Sequence, residues 1–193
     1  MADLLNTNAD NYGDDAIVTL SPREHIRLRP GMYVGTVGDG SQPDEALYVL
    51  IKEVVDNSID EFIMGAGKQI DITIADKVVT VRDYGRGIPL KSLSVAVGQM
   101  NTGGKYGSDA FKKTVGMNGV GVKAVNMLSS EFTARSVRDG EARTVTFSKG
   151  LEVSDKWESG VHEKNGTFIS YRVDEEIFGE YAYNLELSLI HIS

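Results

Sequence analysis

The sequence predicts an α+β layer fold, and three observations lead there. A long amphipathic helix comes early, the strand signals that follow it open as a hairpin, and a second helix precedes further strands, so the order is not a regular βαβ array. With 193 residues, 41% hydrophobic and 25% charged, the chain is large enough for one domain with a buried core.

The elements follow in order. Residues 1–20 are polar, rich in Asn and Asp and without sustained period, and read as a flexible arm. Ser21-Pro22-Arg23-Glu24 is a capping box with Pro at the first helical position, opening a helix to about Leu28 that Arg29-Pro30-Gly31-Met32 ends. Asp44 is expected to cap a long helix to about Met64, with Gly65 just past its end. Lys68 to Ala75 and Val78 to Asp83 read as strands around a tight turn at Asp76-Lys77. From Leu90 to Val115 a weakly marked helix gives way to a Gly/Lys-rich loop; Gly116 to Gly121 is a second glycine loop, leading into a helix from Val122 to Leu128. Strands are expected at Phe132 to Val137, Ala142 to Phe147 and Gly166 to Val173; the domain closes near residue 186, and 187–193 fit no element and read as a tail.

Composition removes several classes. No apolar run reaches the roughly 20 residues of a membrane span, so no membrane partner is expected. The absence of cysteine excludes disulfides and thiolate metal sites and fits a cytoplasmic setting. A formal net charge of −8 makes the domain a poor partner for a phosphate backbone, so any DNA contact must come mostly from elsewhere.

At about 100° per residue, Leu47, Leu50, Ile51, Val54, Val55, Ser58, Ile59, Phe62 and Ile63 share one arc of the long helix. Glu53, Asn57 and Asp60 lie opposite, flanked by Asp56 and Glu61. A solvated acidic face explains such a stripe in most helices. Against that, carboxylates crowd the C-terminal half, where the dipole disfavours them, and Lys52 is the only basic residue nearby in sequence. Glu53 and Asn57, four apart, can meet one ligand: an amide oxygen suits Mg²⁺, and a carboxylate one turn away can orient or deprotonate water.

Alternation in Val78 to Asp83 puts Asp83 on the face of Val79 and Val81. If that face is the core, the carboxylate needs a donor, from backbone N–H groups of the next turn or from a ligand amine; both remain open. Gly85-Arg86-Gly87-Ile88-Pro89 follows, where two glycines allow close approach of a flat ligand. Gly103-Gly104-Lys105 and Gly116 to Lys123 can each wrap phosphates through backbone N–H groups. The second loop also matches a dinucleotide pattern, but no buried strand precedes it and no βαβ unit surrounds it. No Walker A lysine is present.

Glu53-x-x-Asp56-Asn57, Asp83-x-Gly85-x-Gly87, Gly116-x-Asn118-Gly119-x-Gly121-x-Lys123 and Gly166-Thr167 occur in that order. Together they resemble the GHKL (Bergerat) ATP-binding fold of type II topoisomerase ATPase subunits, Hsp90 chaperones, MutL proteins and histidine kinases. Arg29 to Gly35, Glu53 to Glu61, Asp83 to Pro89 and Gly103-Gly104-Lys105-Tyr106 look like the gyrase B and topoisomerase IV B subunits, from about Leu20 to Leu185. The short insertion after Pro89 and Met100 to Lys105 favour topoisomerase IV.

That resemblance implies a two-layer α/β sandwich with helices on one face of a mixed, mostly antiparallel sheet, binding ATP and Mg²⁺. It implies Glu53 as the general base, Asn57 as the Mg²⁺ ligand and Asp83 as acceptor of the adenine amino group, helped by Thr167 through water. Lys105 and the amides around Gly116, Asn118, Gly119, Val120 and Gly121 would contact phosphates. Arg86, Gly87, Ile88 and Pro89 would edge the adenine pocket, where ATP-site inhibitors bind. The arm would cross to a second protomer, with Tyr12 a contact. An A-type subunit and DNA would be met through further domains, and a transducer lysine that completes hydrolysis would lie beyond this stretch, so slow turnover or none is expected.

Two departures stand out. Val49 occupies a position where many bacterial members carry His, and Met117-Asn118 stands where gyrase commonly has Leu-His. The alternatives are a dimerisation module that binds ATP without turnover, or an Hsp90- or MutL-like ATPase.

Overall fold

A computed structural model describes residues 20–100 and 120–184. The arm with Tyr12, the stretch containing Lys105, Gly116, Asn118 and Gly119, and the tail 187–193 lie outside the described residues.

Helix α1 (Pro22–Leu28) starts on its capping box: Ser21 Oγ accepts from Glu24 N at 3.2 Å, and Ser21 N donates to the Glu24 carboxylate at 2.8 Å. The chain does not simply stop after it. Pro30, with φ −59°, starts a second short helix, α2 (Gly31–Val34). The long helix α3 spans Ala46–Ile63 and is not capped by Asp44. Glu45 holds the N-cap position, and its buried carboxylate turns away to accept from Gly40 N at 2.5 Å. The apolar arc of α3 is buried from Leu47 to Ser58, but its end emerges: Phe62 and Ile63 are exposed.

Strands β1 (Ile70–Ala75) and β2 (Val78–Asp83) form a hairpin whose turn residues Asp76 and Lys77 have φ of 50° and 66°. The 3-10 turn Leu90–Ser92, α4 (Leu93–Gly98) and α5 (Gly121–Met127) follow. Strands β3 (Ser129–Arg138), β4 (Glu141–Ser148) and β5 (Leu151–Ser159) are joined by turns at Asp139-Gly140 and Lys149-Gly150, again with positive φ at both residues. Strand β6 (Gly166–Val173) and α6 (Glu175–Phe178), capped by the Asp174 carboxylate, complete the described chain. Strand β5 and α6 have no counterpart among the expected elements.

The sheet order is β1-β2-β6-β3-β4-β5, and every pairing among the described residues is antiparallel. Val79, Val81, Ile169, Tyr171, Phe132 and Ala134 alternate to one face and pack in the core with α3, α4 and α5. Thr80, Arg82, Thr133, Arg135 and Ser170 share the other, more accessible face. Helix α1 is pinned across the layers by Arg27, which donates to Met127 O at 2.9 Å and to Asp174 at 2.5 Å. No helix among the described residues is long and apolar enough to cross a membrane.

Candidate active site

A cavity of about 780 Å³, open mouth included, lies between α3 and the sheet. Val54, Asn57, Ser58 and Glu61 line it from α3, Val81 and Asp83 from β2, and Thr167 and Ile169 from β6. Gly87, Ile88 and Pro89 form one wall, and Ala96, Val97 and Val122 the other. Most of this lining is apolar, which suits a flat ring.

Asp83 lies at the base. The register that pairs Val81 with Ile169 and Ser136 with Thr167 sets Asp83, Thr167 and Ser136 in one row across three strands, facing the helices. Asp83 is 6% exposed. Its Oδ1 accepts from Gly85 N at 2.9 Å and from Thr167 N at 3.1 Å. Among the described residues no donor engages Oδ2. Of the two donors the sequence left open, backbone N–H groups are the one the structure shows, and they satisfy one oxygen. Burial pushes the Asp83 carboxyl above the usual carboxylate range despite those two bonds.

On α3, Asn57 Nδ2 donates to Glu53 O at 2.7 Å. That fixes the amide and leaves Oδ1 as the atom it can offer to the cavity. Glu53 is half-buried and leans on the start of α5: a Cβ on Gly121 would run into its carboxylate. Burial first, and the neighbouring Asp56 second, raise the Glu53 carboxyl above its ordinary value. Asp56 itself pairs with Lys52, and Glu61 pairs with Arg86, so the acidic stripe is more neutralised than sequence neighbours suggest. Arg86 arrives from the β2 turn, 25 positions away.

The structure brings Asn57, Asp83, Gly87, Ile88, Pro89 and Thr167 to the cavity, with Glu53 and Gly121 touching beside it; Val120 precedes Gly121 and is half-buried. Arg86 does not line the cavity. It is drawn outward by Glu61, through Nε at 3.1 Å and Nη2 at 2.7 Å. Gly87 needs its hydrogen: φ is +75°, and a Cβ would stand 2.7 Å from Val137 O. Gly166, at φ +140°, is equally confined against the backbone of Asp83.

Sequence reasoning missed Ser136 and Arg138. Ser136 Oγ donates to Ile88 O at 2.7 Å, and Arg138 Nη1 lies 3.4 Å from Gly87 O. Alternation in β3 is the signal that could have found Ser136, a hydroxyl on the face of Phe132 and Ala134.

Residues 42–176 match the family described as histidine kinase-, DNA gyrase B-, and HSP90-like ATPase. The chain is 52% identical over 174 residues to the B subunit of DNA topoisomerase 4 from Borreliella burgdorferi, covering 90% of this chain and 29% of that protein. It is 37% identical to the DNA gyrase B protein of the same organism, over 92% of this chain and 28% of that one. The DNA gyrase B protein of Mycolicibacterium smegmatis is also 37% identical, over 96% and 28%. The chain thus spans less than a third of these relatives. Among solved structures, the 43K ATPase domain of Thermus thermophilus gyrase B, crystallised with an aminocoumarin, aligns with TM-score 0.71 and 27% identity over 85% of this chain and 42% of that one. The antiparallel sheet, the helical layer and the ordered motifs around Glu53, Asp83 and Gly166 agree with these matches, and the chain belongs to the histidine kinase-, DNA gyrase B-, and HSP90-like ATPase family.

Proposed function

We propose that the cavity binds ATP and that this chain is the ATPase head of a bacterial type II topoisomerase, of the topoisomerase IV B kind. The observation that carries the reading is Asp83: a buried carboxylate at the base of an apolar slot, with one oxygen satisfied by backbone and the other without a donor among the described residues. An exocyclic amine of adenine is the donor that completes it. Ile88 and Pro89 offer apolar surface to the ring, and Thr167 sits beside Asp83 to share a bridging water.

At the other end, the glycine stretch ending in Val120-Gly121, with Lys105, Gly116, Asn118 and Gly119, would receive the triphosphate on backbone N–H groups. Asn57 fits a magnesium ion, because its Nδ2 is committed to Glu53 O and its oxygen is the atom presented. Bound there with the nucleotide, the ion would offset phosphate charge. Glu53 would accept the proton of a water directed at the γ-phosphate. Its place against Gly121 keeps the carboxylate at the phosphate end, and its raised pKa makes it a stronger base than an exposed glutamate.

The difference between 52% and 37% identity to the two B-type proteins of one organism favours topoisomerase IV over gyrase. On that reading the arm with Tyr12 joins a second protomer when ATP is bound. The rest of the protein would engage an A-type subunit and DNA in the cytoplasm, and ATP-site inhibitors would occupy the Asp83 pocket.

Calorimetric titration of a non-hydrolysable ATP analogue with Mg²⁺ into the wild type and Asp83→Asn tests the nucleotide assignment. Loss of measurable binding in D83N is expected; equal affinities would remove it.

A further inference from the structure

The wall Gly87–Pro89 runs directly into the 3-10 turn Leu90–Ser92 and α4, so one continuous segment lines two sides of the cavity. That segment is not paired as a strand, so side chains must take carbonyls of it: Ser136 and Arg138 of β3 reach Ile88 O and Gly87 O at its start. Arg143 of β4 takes two: Nη1 donates to Leu90 O at 2.6 Å and to Lys91 O at 3.1 Å. The rest of the guanidinium is fixed from β5. Nε and Nη2 meet the two oxygens of Asp155, each at 2.9 Å, and the ring of Trp157, the cross-strand partner of Arg143, lies 4.8 Å away. Arg143 is only 8% exposed, although β5 itself is largely open to solvent. The outer strand adds little to the core, and two of its side chains, Asp155 and Trp157, hold this arginine.

We propose that Arg143 is a positioning residue for the nucleotide site: braced by Asp155 and Trp157, it fixes the wall that carries Ile88 and Pro89, so the β4–β5 hairpin sets nucleotide affinity without touching nucleotide. The inference rests on the ATP reading above. Freed of Arg143, Leu90 O keeps only the Leu93 N–H of its own turn and Lys91 O loses its side-chain donor, so the wall is held less firmly and must be ordered when ligand binds, which weakens binding. Lysine cannot replace it, because a point charge lacks the planar fork that reaches two carbonyls and a carboxylate together.

The test is calorimetric titration of the Mg²⁺-bound, non-hydrolysable ATP analogue into the wild type, Arg143→Lys, Asp155→Ala and the double variant, with thermal melts of each. Arg135→Lys is the control, since Arg135 pairs with Glu158 and Glu163 away from the wall. R143K and D155A are each expected to weaken binding about tenfold, the double variant no more than R143K alone, and R135K not at all. Affinities of R143K and D155A within twofold of the wild type, with lowered melting temperatures alone, would overturn the inference. D155A carries the test if R143K does not fold. A wild type that binds no nucleotide overturns the ATP reading, and this inference with it.

Discussion

Arg86 grips both carboxylate oxygens of Glu61, Nε at 3.1 Å and Nη2 at 2.7 Å, tying the turn after β2 to the last turns of α3. The pair sits at the mouth of the cavity, since Glu61 lines it and Arg86 is half exposed. Arg86 holds the Glu61 carboxyl below the usual glutamate range. A lowered folded-state pKa contributes stability above the unfolded pKa and loses it as pH falls through the folded value. Arg86→Ala should therefore cost less than about 1 kcal/mol at neutral pH, given the exposure, and the cost should shrink with salt. Paired melts from pH 7 to pH 3 should converge only below the ordinary glutamate range.

Glu53 carries the opposite sign. Burial raises its pKa, so the folded protein holds that proton more tightly than the unfolded chain does. The ionised group costs nothing below the unfolded pKa and costs most above the folded one. Glu53→Gln should raise the melting temperature at pH 7 by up to roughly 3 °C, and the difference should vanish near pH 4. ATP turnover should fall about 100-fold or more while nucleotide affinity holds. Phosphate release and differential scanning calorimetry on the same samples check both halves.

Gly121→Ala tests the contact that places the base. A methyl there displaces the Glu53 carboxylate, yet alanine suits the first residue of a helix. The expected outcome is an intact fold by circular dichroism, with turnover reduced about as far as in Glu53→Gln.

How much of this is legible in the sequence depends on how local each signal is. The Ser21–Glu24 capping box and the alternation that turns Asp83 inward need only neighbouring residues, and both appear as read. Asp44 misleads because Glu45 takes the N-cap position and its carboxylate turns back to the Gly40 amide, a loop contact no spacing shows. Strand β5 is invisible to hydrophobic periodicity, since an exposed edge strand has almost no buried residue; its signal is the Lys149-Gly150 turn. The pairing of Glu61 with Arg86 depends on how α3 packs over the turn after β2, and the row Asp83–Thr167–Ser136 on strand order, neither of which one sequence states.

Asp83 also predicts a pH dependence. Its carboxyl is raised by burial, so it takes up a proton at higher pH than an exposed aspartate and then no longer accepts freely from an amine. Affinity for an adenine nucleotide should decline on acidification from above the ordinary aspartate range. In Thr167→Ala, which keeps the backbone N–H on Oδ1, the decline should have the same midpoint. Titrations at several pH values measure it.

The most direct measurement compares ATP with inosine triphosphate, which presents a carbonyl oxygen where adenine has its amino group. If the free oxygen of Asp83 accepts from that amine, the wild type should prefer ATP by about 100-fold or more, because the inosine oxygen faces an acceptor and leaves it unpaired. Equal affinity for the two nucleotides would contradict the account at its centre.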